Sequence, residues 1–142
     1  MTIAAILNGK GREVIQLTAS CTVQEAAALL SDKRIGCLPV VDSGRVVGII
    51  SERDIVRVVS QLGGKALEST VGEVMTSPAL TISPHENVLS ALGLMTQRRI
   101  RHLPVIEDGA MIGFVSIGDL VKYRIDCVEA EAKAMREYIQ SA

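Results

Sequence analysis

Arg34-Ile35-Gly36-Cys37-Leu38-Pro39-Val40-Val41-Asp42-Ser43-Gly44-Arg45-Val46-Val47-Gly48-Ile49-Ile50-Ser51-Glu52-Arg53-Asp54 decides the fold, because the chain writes it twice. The second copy reads Arg99-Ile100-Arg101-His102-Leu103-Pro104-Val105-Ile106-Glu107-Asp108-Gly109-Ala110-Met111-Ile112-Gly113-Phe114-Val115-Ser116-Ile117-Gly118-Asp119. Pro39 and Pro104, Gly48 and Gly113, Ser51 and Ser116, and Asp54 and Asp119 all keep a constant offset of 65 positions. Self-similarity of this regularity marks a repeated supersecondary unit.

Within each copy the pattern sets the local structure. Leu38–Val41 and Val46–Ile50 are almost wholly apolar and read as strands buried on both faces or nearly so. Asp42-Ser43-Gly44 joins them as a hairpin turn. Upstream, Glu13–Leu17 is rich in β-branched residues and reads as a short strand. Thr22 and Glu25 have capping-box spacing, ahead of a helix from Val23 to about Lys33. A second helix runs from Glu52 to about Leu62 and stops at Gly63-Gly64. Copy two repeats the order: a strand at Ala79–Ile82, a helix from Asn87 to about Arg98, strands at His102–Ile106 and Met111–Val115, and a helix from Ile117. The expectation is a mixed α/β (α+β) chain of two β-α-β-β-α units, 1–64 and 71–142, joined by a linker at 65–70. Ile3–Leu7 reads as a short helical turn ended by Asn8-Gly9, Lys10-Gly11-Arg12 as a basic loop, and Val71–Met75 as an echo of the opening turn.

The last helix departs from the repeat because no Gly-Gly stop follows it. Val121, Ile125, Val128, Ala132, Met135 and Ile139 alternate at spacings of four and three, the seam of a helix packed along another helix. The stripe either covers the chain's own core or meets a partner subunit. The overshoot beyond the repeat's needs favours the partner.

Bulk properties narrow the function. A chain near 150 residues buries roughly 68–70% of its extended surface, whereas half of it would be marginal alone. The two copies are therefore expected to fold against each other. At net charge −1, with no Trp, one Phe and two Tyr, the 142 residues offer neither a phosphate-backbone attraction nor stacking platforms. Nucleic acid is a poor partner for such a chain. Cys21, Cys37 and Cys127 match no disulfide framework or zinc spacing, which points to reduced thiols in a cytoplasmic protein and to no metal. The N-terminus lacks the basic lead of a signal peptide, and no apolar run approaches a membrane span.

Chemistry concentrates at Gly-x-x-Ser-x-x-Asp, present as Gly48…Ser51…Asp54 and Gly113…Ser116…Asp119. The structural reading makes the Ser an N-cap and the Asp a first-turn acid. In the functional reading the helix N-terminus is an anion site, and the Asp accepts two hydrogen bonds from vicinal ribose hydroxyls. The strand Gly lets another backbone or a flat ligand come close.

Two such copies resemble a tandem pair of cystathionine-β-synthase (CBS) domains, a Bateman module, from about residue 3 to about 125. The resemblance implies two three-stranded sheets about a pseudo-twofold axis, with clefts between the copies that bind AMP, ADP, ATP, NAD(H) or S-adenosylmethionine. It assigns the ribose to Asp54 and Asp119, beside Ser51 and Ser116. It assigns the base and phosphates to Ile35, Gly36, Cys37, Leu38 and Pro39, and to Ile100, Arg101, His102, Leu103 and Pro104. Thr18, Thr81 and Ser83 stand where the family contacts base or sugar. It also implies a homodimer, a regulated protein target and no catalytic cofactor. Arg101 and His102 have no charged equivalents in Gly36 and Cys37, so the sites should be unequal. The expectation is that Arg53 and Arg101 converge near Asp119, which then takes the more phosphorylated ligand. Arg98 and Arg99 read equally well as solvated helix-end charges.

Two rivals stand beside this non-enzymatic, energy- or redox-sensing module. Cys37 and His102 are repeat equivalents and form a possible Cys–His pair, although no orienting third group is apparent. A purely structural dimerisation module with vestigial clefts is the other.

Overall fold

β1 (Cys37–Asp42) and β2 (Arg45–Ser51) form one antiparallel hairpin, and β3 (His102–Glu107) and β4 (Ala110–Ser116) the other, in a computed structural model that describes residues 1–141. Positive φ at Ser43 and Gly44, and again at Asp108 and Gly109, closes each hairpin with a two-residue turn that suits the strand twist. Both hairpins carry a register shift at the same place, Val40/Val41 and Val105/Ile106. Around them stand α1 (Ile3–Lys10), α2 (Val23–Lys33), α3 (Glu52–Leu62), α4 (Val71–Val74), α5 (Val88–Arg98) and α6 (Ile117–Ser141).

Local signals place the helix starts. The Thr22 hydroxyl accepts from the Glu25 amide at 3.1 Å, and Asn87 Oδ1 accepts from the Leu89 amide at 2.8 Å. The reciprocal box sits elsewhere: Ser51 with Asp54 at the head of α3, and Ser116 with Asp119 at the head of α6.

Two expectations need correction. The outer strands at Glu13–Leu17 and Ala79–Ile82 are each reduced to one parallel bridge, Leu17 to Val40 and Ile82 to Val105, so each sheet has two strands. The cause lies in the prolines. The Pro39 carbonyl accepts from the Leu17 amide and the Pro104 carbonyl from the Ile82 amide, so the side of β1 and β3 facing the outer segment lacks a donor there. Within the connection after α3, Gly63–Glu68 is a 3-10 helix whose Ala66 is fully buried beside Val23 and Val58. Lys10 is the last residue of α1 rather than part of a loop.

The two cores cross the order of the chain. Ile3, Ile6 and Leu7 of α1 pack with Ile82, Val88, Ala91, Met95, Leu103, Val105, Val115 and Leu120 of the second copy. Val71 of α4 packs with Leu17, Ala26, Leu30, Leu38, Val40 and Ile50 of the first. Backbone bridges repeat this exchange, Thr2 with Asn87 and Thr70 with Thr22. The result is a pseudo-twofold arrangement in which each copy is covered by the helix that precedes the other. Burying Ile3 and Leu7 alone is worth about 1.5–3 kcal/mol each.

The strand glycines accept that exchange. A Cβ at Gly48 would lie 2.6 Å from Met75 Sδ and 2.8 Å from the Thr76 carbonyl oxygen. One at Gly113 would lie 2.6 Å from Leu7 Cδ2. The close neighbour of each strand Gly is therefore the crossing segment and not a ligand.

α6 does not fold back to cover its own stripe. Val121, Ile125 and Val128 are 42%, 49% and 44% exposed, and every described residue from Val128 to Ser141 is exposed.

Candidate functional site

The two Ser-x-x-Asp junctions differ in what surrounds them. At the first, Asp54 is the one buried charged residue in the described chain, at 3% exposure. Its Oδ2 accepts from the Ser51 amide at 2.9 Å and the Ser51 hydroxyl at 3.1 Å. Its Oδ1 accepts from the Thr76 hydroxyl at 3.0 Å and, more loosely, from Arg57 at 3.5 Å. The carboxylate is thus held in place by groups from copy one and from the segment entering copy two.

A cavity of about 600 Å³ lies alongside, a size suited to a nucleotide-sized molecule. Ser51, Asp54, Arg57 and Thr76 line one part of it, Gly36 and Cys37 another, and Arg98, Arg99, Ile100, Arg101 and His102 come from the second copy. Arg53, Arg57, Arg98, Arg99 and Arg101 give the wall five guanidinium groups against two carboxylates, Glu52 and Asp54. Arginine forks match phosphate oxygens two at a time, so this wall suits a multiply charged anion.

The expected convergence of Arg53 and Arg101 occurs here, around Asp54, and not around Asp119. β2 lies beside β4, which sets the junction of copy one against the pre-proline segment of copy two. Arg98 and Arg99 also line the cavity. Arg99 ends α5 in the left-handed region at φ 55, its amide bonded back to the helix, and this turns the chain toward the cavity.

At the second junction Lys10 fills the equivalent space. Its Nζ lies 2.6 Å from Asp119 Oδ2 and 2.6 Å from the Phe114 carbonyl oxygen. Burial would raise the Asp119 carboxyl, but the hydrogen bonds from Lys10 and Ser116 and the Lys10 charge hold it below the usual range. Neither Ser116 nor Asp119 lines the Asp54 cavity.

Several expected contacts stand apart. Leu38, Pro39, Leu103 and Pro104 are buried and pack rather than face a cavity. Thr18 is exposed and bonds to Ser20. Ile35 packs against the first core. Thr81 and Ser83 line a separate depression with Glu86, Ser90 and Gln97, on the outer face of α5. Ile49, Glu52, Arg57, Thr76, Pro78, Ala79 and Leu80 join the wall without having been singled out. Arg57 was findable, because it lies one helical turn after Asp54. Thr76 to Leu80 gave no local signal, since the crossing of the copies alone brings them there.

Cys37 and His102 do share the cavity, but the pair is poorly set for nucleophilic chemistry. Burial, helped by the Asp54 charge, pushes the Cys37 thiol up to about 12. Burial, with the Lys10 and Arg101 charges and against the pull of Asp119, lowers His102 below its ordinary value, so the imidazole is neutral at pH 7. His102 instead stacks on Phe114 at 5.6 Å between centroids. At pH 8, Ellman's reagent is expected to titrate the half-exposed Cys21 and Cys127 within minutes and Cys37 only after denaturant is added. A third fast thiol in the native protein would contradict this.

The family model for the CBS domain matches residues 11–61 and 71–126. The Arabidopsis thaliana protein named "CBS domain-containing protein CBSX3, mitochondrial" is 36% identical, over 98% of this chain and 72% of that protein. Among solved structures, a CBS-domain containing protein from Agrobacterium tumefaciens superposes with a TM-score of 0.83 at 35% identity, covering 87% of this chain and 99% of the other. CBSX2 in complex with AMP gives 0.73 at 28%, covering 82% and 91%. The CBS domain pair of MJ0100, in complex with 5'-methylthioadenosine and S-adenosylmethionine, gives 0.76 at 28%, covering 87% and 94%.

Proposed function

The chain belongs to the CBS domain family as a tandem pair, and from that premise we propose that it is a non-enzymatic regulatory module that binds a phosphorylated adenine nucleotide in the Asp54 cavity. The observation that carries this is the wall itself: five arginines drawn from both copies, around a buried acid at a helix start. In this reading the ribose hydroxyls bond to Asp54 Oδ1 in place of the long Arg57 contact, which frees Arg57 for phosphate. Arg53 and Arg101 reach the phosphates from opposite copies, and Gly36, Cys37 and Ile100 border the base. The wall favours ATP and ADP over AMP, and all of these over S-adenosylmethionine, whose sulfonium carries positive charge. NAD(H), with two phosphates, remains within the class. A second, weaker site at Asp119 would have to displace Lys10.

Ligand bridging the copies would shift their tilt by its differential affinity for the two arrangements, and so report energy or redox state to a protein target. Self-association into a homodimer belongs to the same reading and is supported by the exposed stripe of α6. Three unpaired cysteines support a reducing compartment such as the cytoplasm, and no helix among the described residues is long and apolar enough to cross a membrane.

Calorimetric titration with ATP, AMP, NADH and adenosine tests the proposal. Wild-type protein should bind ATP, and Asp54→Asn should weaken ATP and adenosine alike by about tenfold or more, the loss of one charge-assisted hydrogen bond. Absence of heat with every adenosyl ligand would favour the structural module. Turnover of any of them would favour an enzyme.

A further inference from the structure

We infer that α6 pairs with α6 of a second copy as a parallel, in-register coiled coil, an arrangement that deepens the self-association just proposed by fixing its surface and direction. Val121, Ile125, Val128, Ala132, Met135 and Ile139 form one seam of ~28 Å at 1.5 Å per residue. Leu120, fully buried, anchors the near end on the module. The helix is therefore already nucleated where it leaves, which removes the main obstacle to a short coiled coil. Met135 and Ile139 are 61% and 65% exposed, so nothing in the described chain covers the far end of the seam.

Charge decides the direction. Lys122, Glu129 and Arg136 flank one side of the seam, and Arg124, Glu131 and Tyr138 the other. In a parallel pair, each flanking residue of the second set meets a residue of the first set one heptad on. Arg124 then faces Glu129 of the partner subunit, and Glu131 faces Arg136 of the partner subunit. Both contacts are attractive, and symmetry forms each twice. An antiparallel pair centred on the same seam sets Lys122 near Arg136 of the partner subunit and sets Glu129 and Glu131 against their own copies. All of those contacts are repulsive. Within the chain, the ion pairs among the described residues are Lys10–Asp119 and Arg57–Asp54, so these four flanking charges are unused by the fold.

Sedimentation equilibrium on the full chain, with Arg124→Glu, Glu129→Arg and the double variant, tests the pairing. Glu129 is exposed and Arg124 half-buried, and neither belongs to the core of the module. Each single reversal should weaken the dimer by about tenfold, because two exposed pairs turn from attraction to repulsion. The double variant should restore it. With Cys21→Ser, Cys37→Ala and Cys127→Ser as background, Ala132→Cys on the seam should oxidise to a disulfide dimer and Glu137→Cys on the outer face should not. A dimer indifferent to the reversals and without the Ala132→Cys cross-link would overturn the helix pairing and leave self-association through another face. A monomer at high concentration would overturn both, whatever nucleotide binding shows.

Discussion

Gly48→Ala is expected to lower the unfolding free energy by about 2–3 kcal/mol, the upper part of the range for overpacking a closed interior. The added methyl would meet the Thr76 carbonyl oxygen at 2.8 Å, a backbone atom without rotamers to escape into. That oxygen accepts from the Ile49 amide at 2.9 Å, and the Thr76 amide donates back to Ile49 at 2.8 Å. Making room therefore opens a two-bond bridge between β2 and the segment crossing from copy one to copy two. Gly113→Ala provides the control. There the obstacle is the Leu7 side chain, which can rotate at a cost of about 1–2 kcal/mol. The substitutions should also separate in ligand binding. Thr76 bonds to Asp54 and lines the cavity, so Gly48→Ala should weaken ATP as well as the fold, while Gly113→Ala should leave ATP affinity near wild type. Urea melts and ATP titrations of the two variants give both readings. Equal losses in both would mean that the crossing segment does not shape the Asp54 cavity.

The second large effect concerns the arginines. Arg53→Ala combined with Arg101→Ala should lower ATP affinity roughly a hundredfold while changing adenosine affinity by less than about threefold. A charge-assisted hydrogen bond to phosphate is worth about 1.5–3 kcal/mol. Both side chains are exposed, so the lower end applies to each, and about 1.4 kcal/mol is a tenfold change. The double variant should also flatten the salt dependence of ATP binding, since fewer cations are engaged. Equal loss for ATP and adenosine would place these arginines elsewhere than at phosphate. The neutral imidazole of His102 adds no charge near pH 7, so affinity should vary little between pH 7 and 8.

The repeat, the hairpins with their turns, and the helices α2, α3 and α5 were legible in the chain, because each rests on signals within a few residues: apolar runs, Gly turns and Ser, Thr or Asn caps. The reciprocal Ser–Asp boxes belong to the same class, and so does the apolar stripe of α6, although only the fold leaves that stripe uncovered. What the tertiary structure decided is of another kind. It withheld a third strand from each sheet, because Pro39 and Pro104 present no amide to it. It exchanged α1 and α4 between the copies, which explains Gly48 and Gly113 and brings Thr76 to Asp54. It placed Lys10 on Asp119, and so moved the arginine-walled cavity to the other acid. These outcomes depend on which of two nearly equivalent surfaces meets which, and a repeated sequence specifies both surfaces without specifying the pairing.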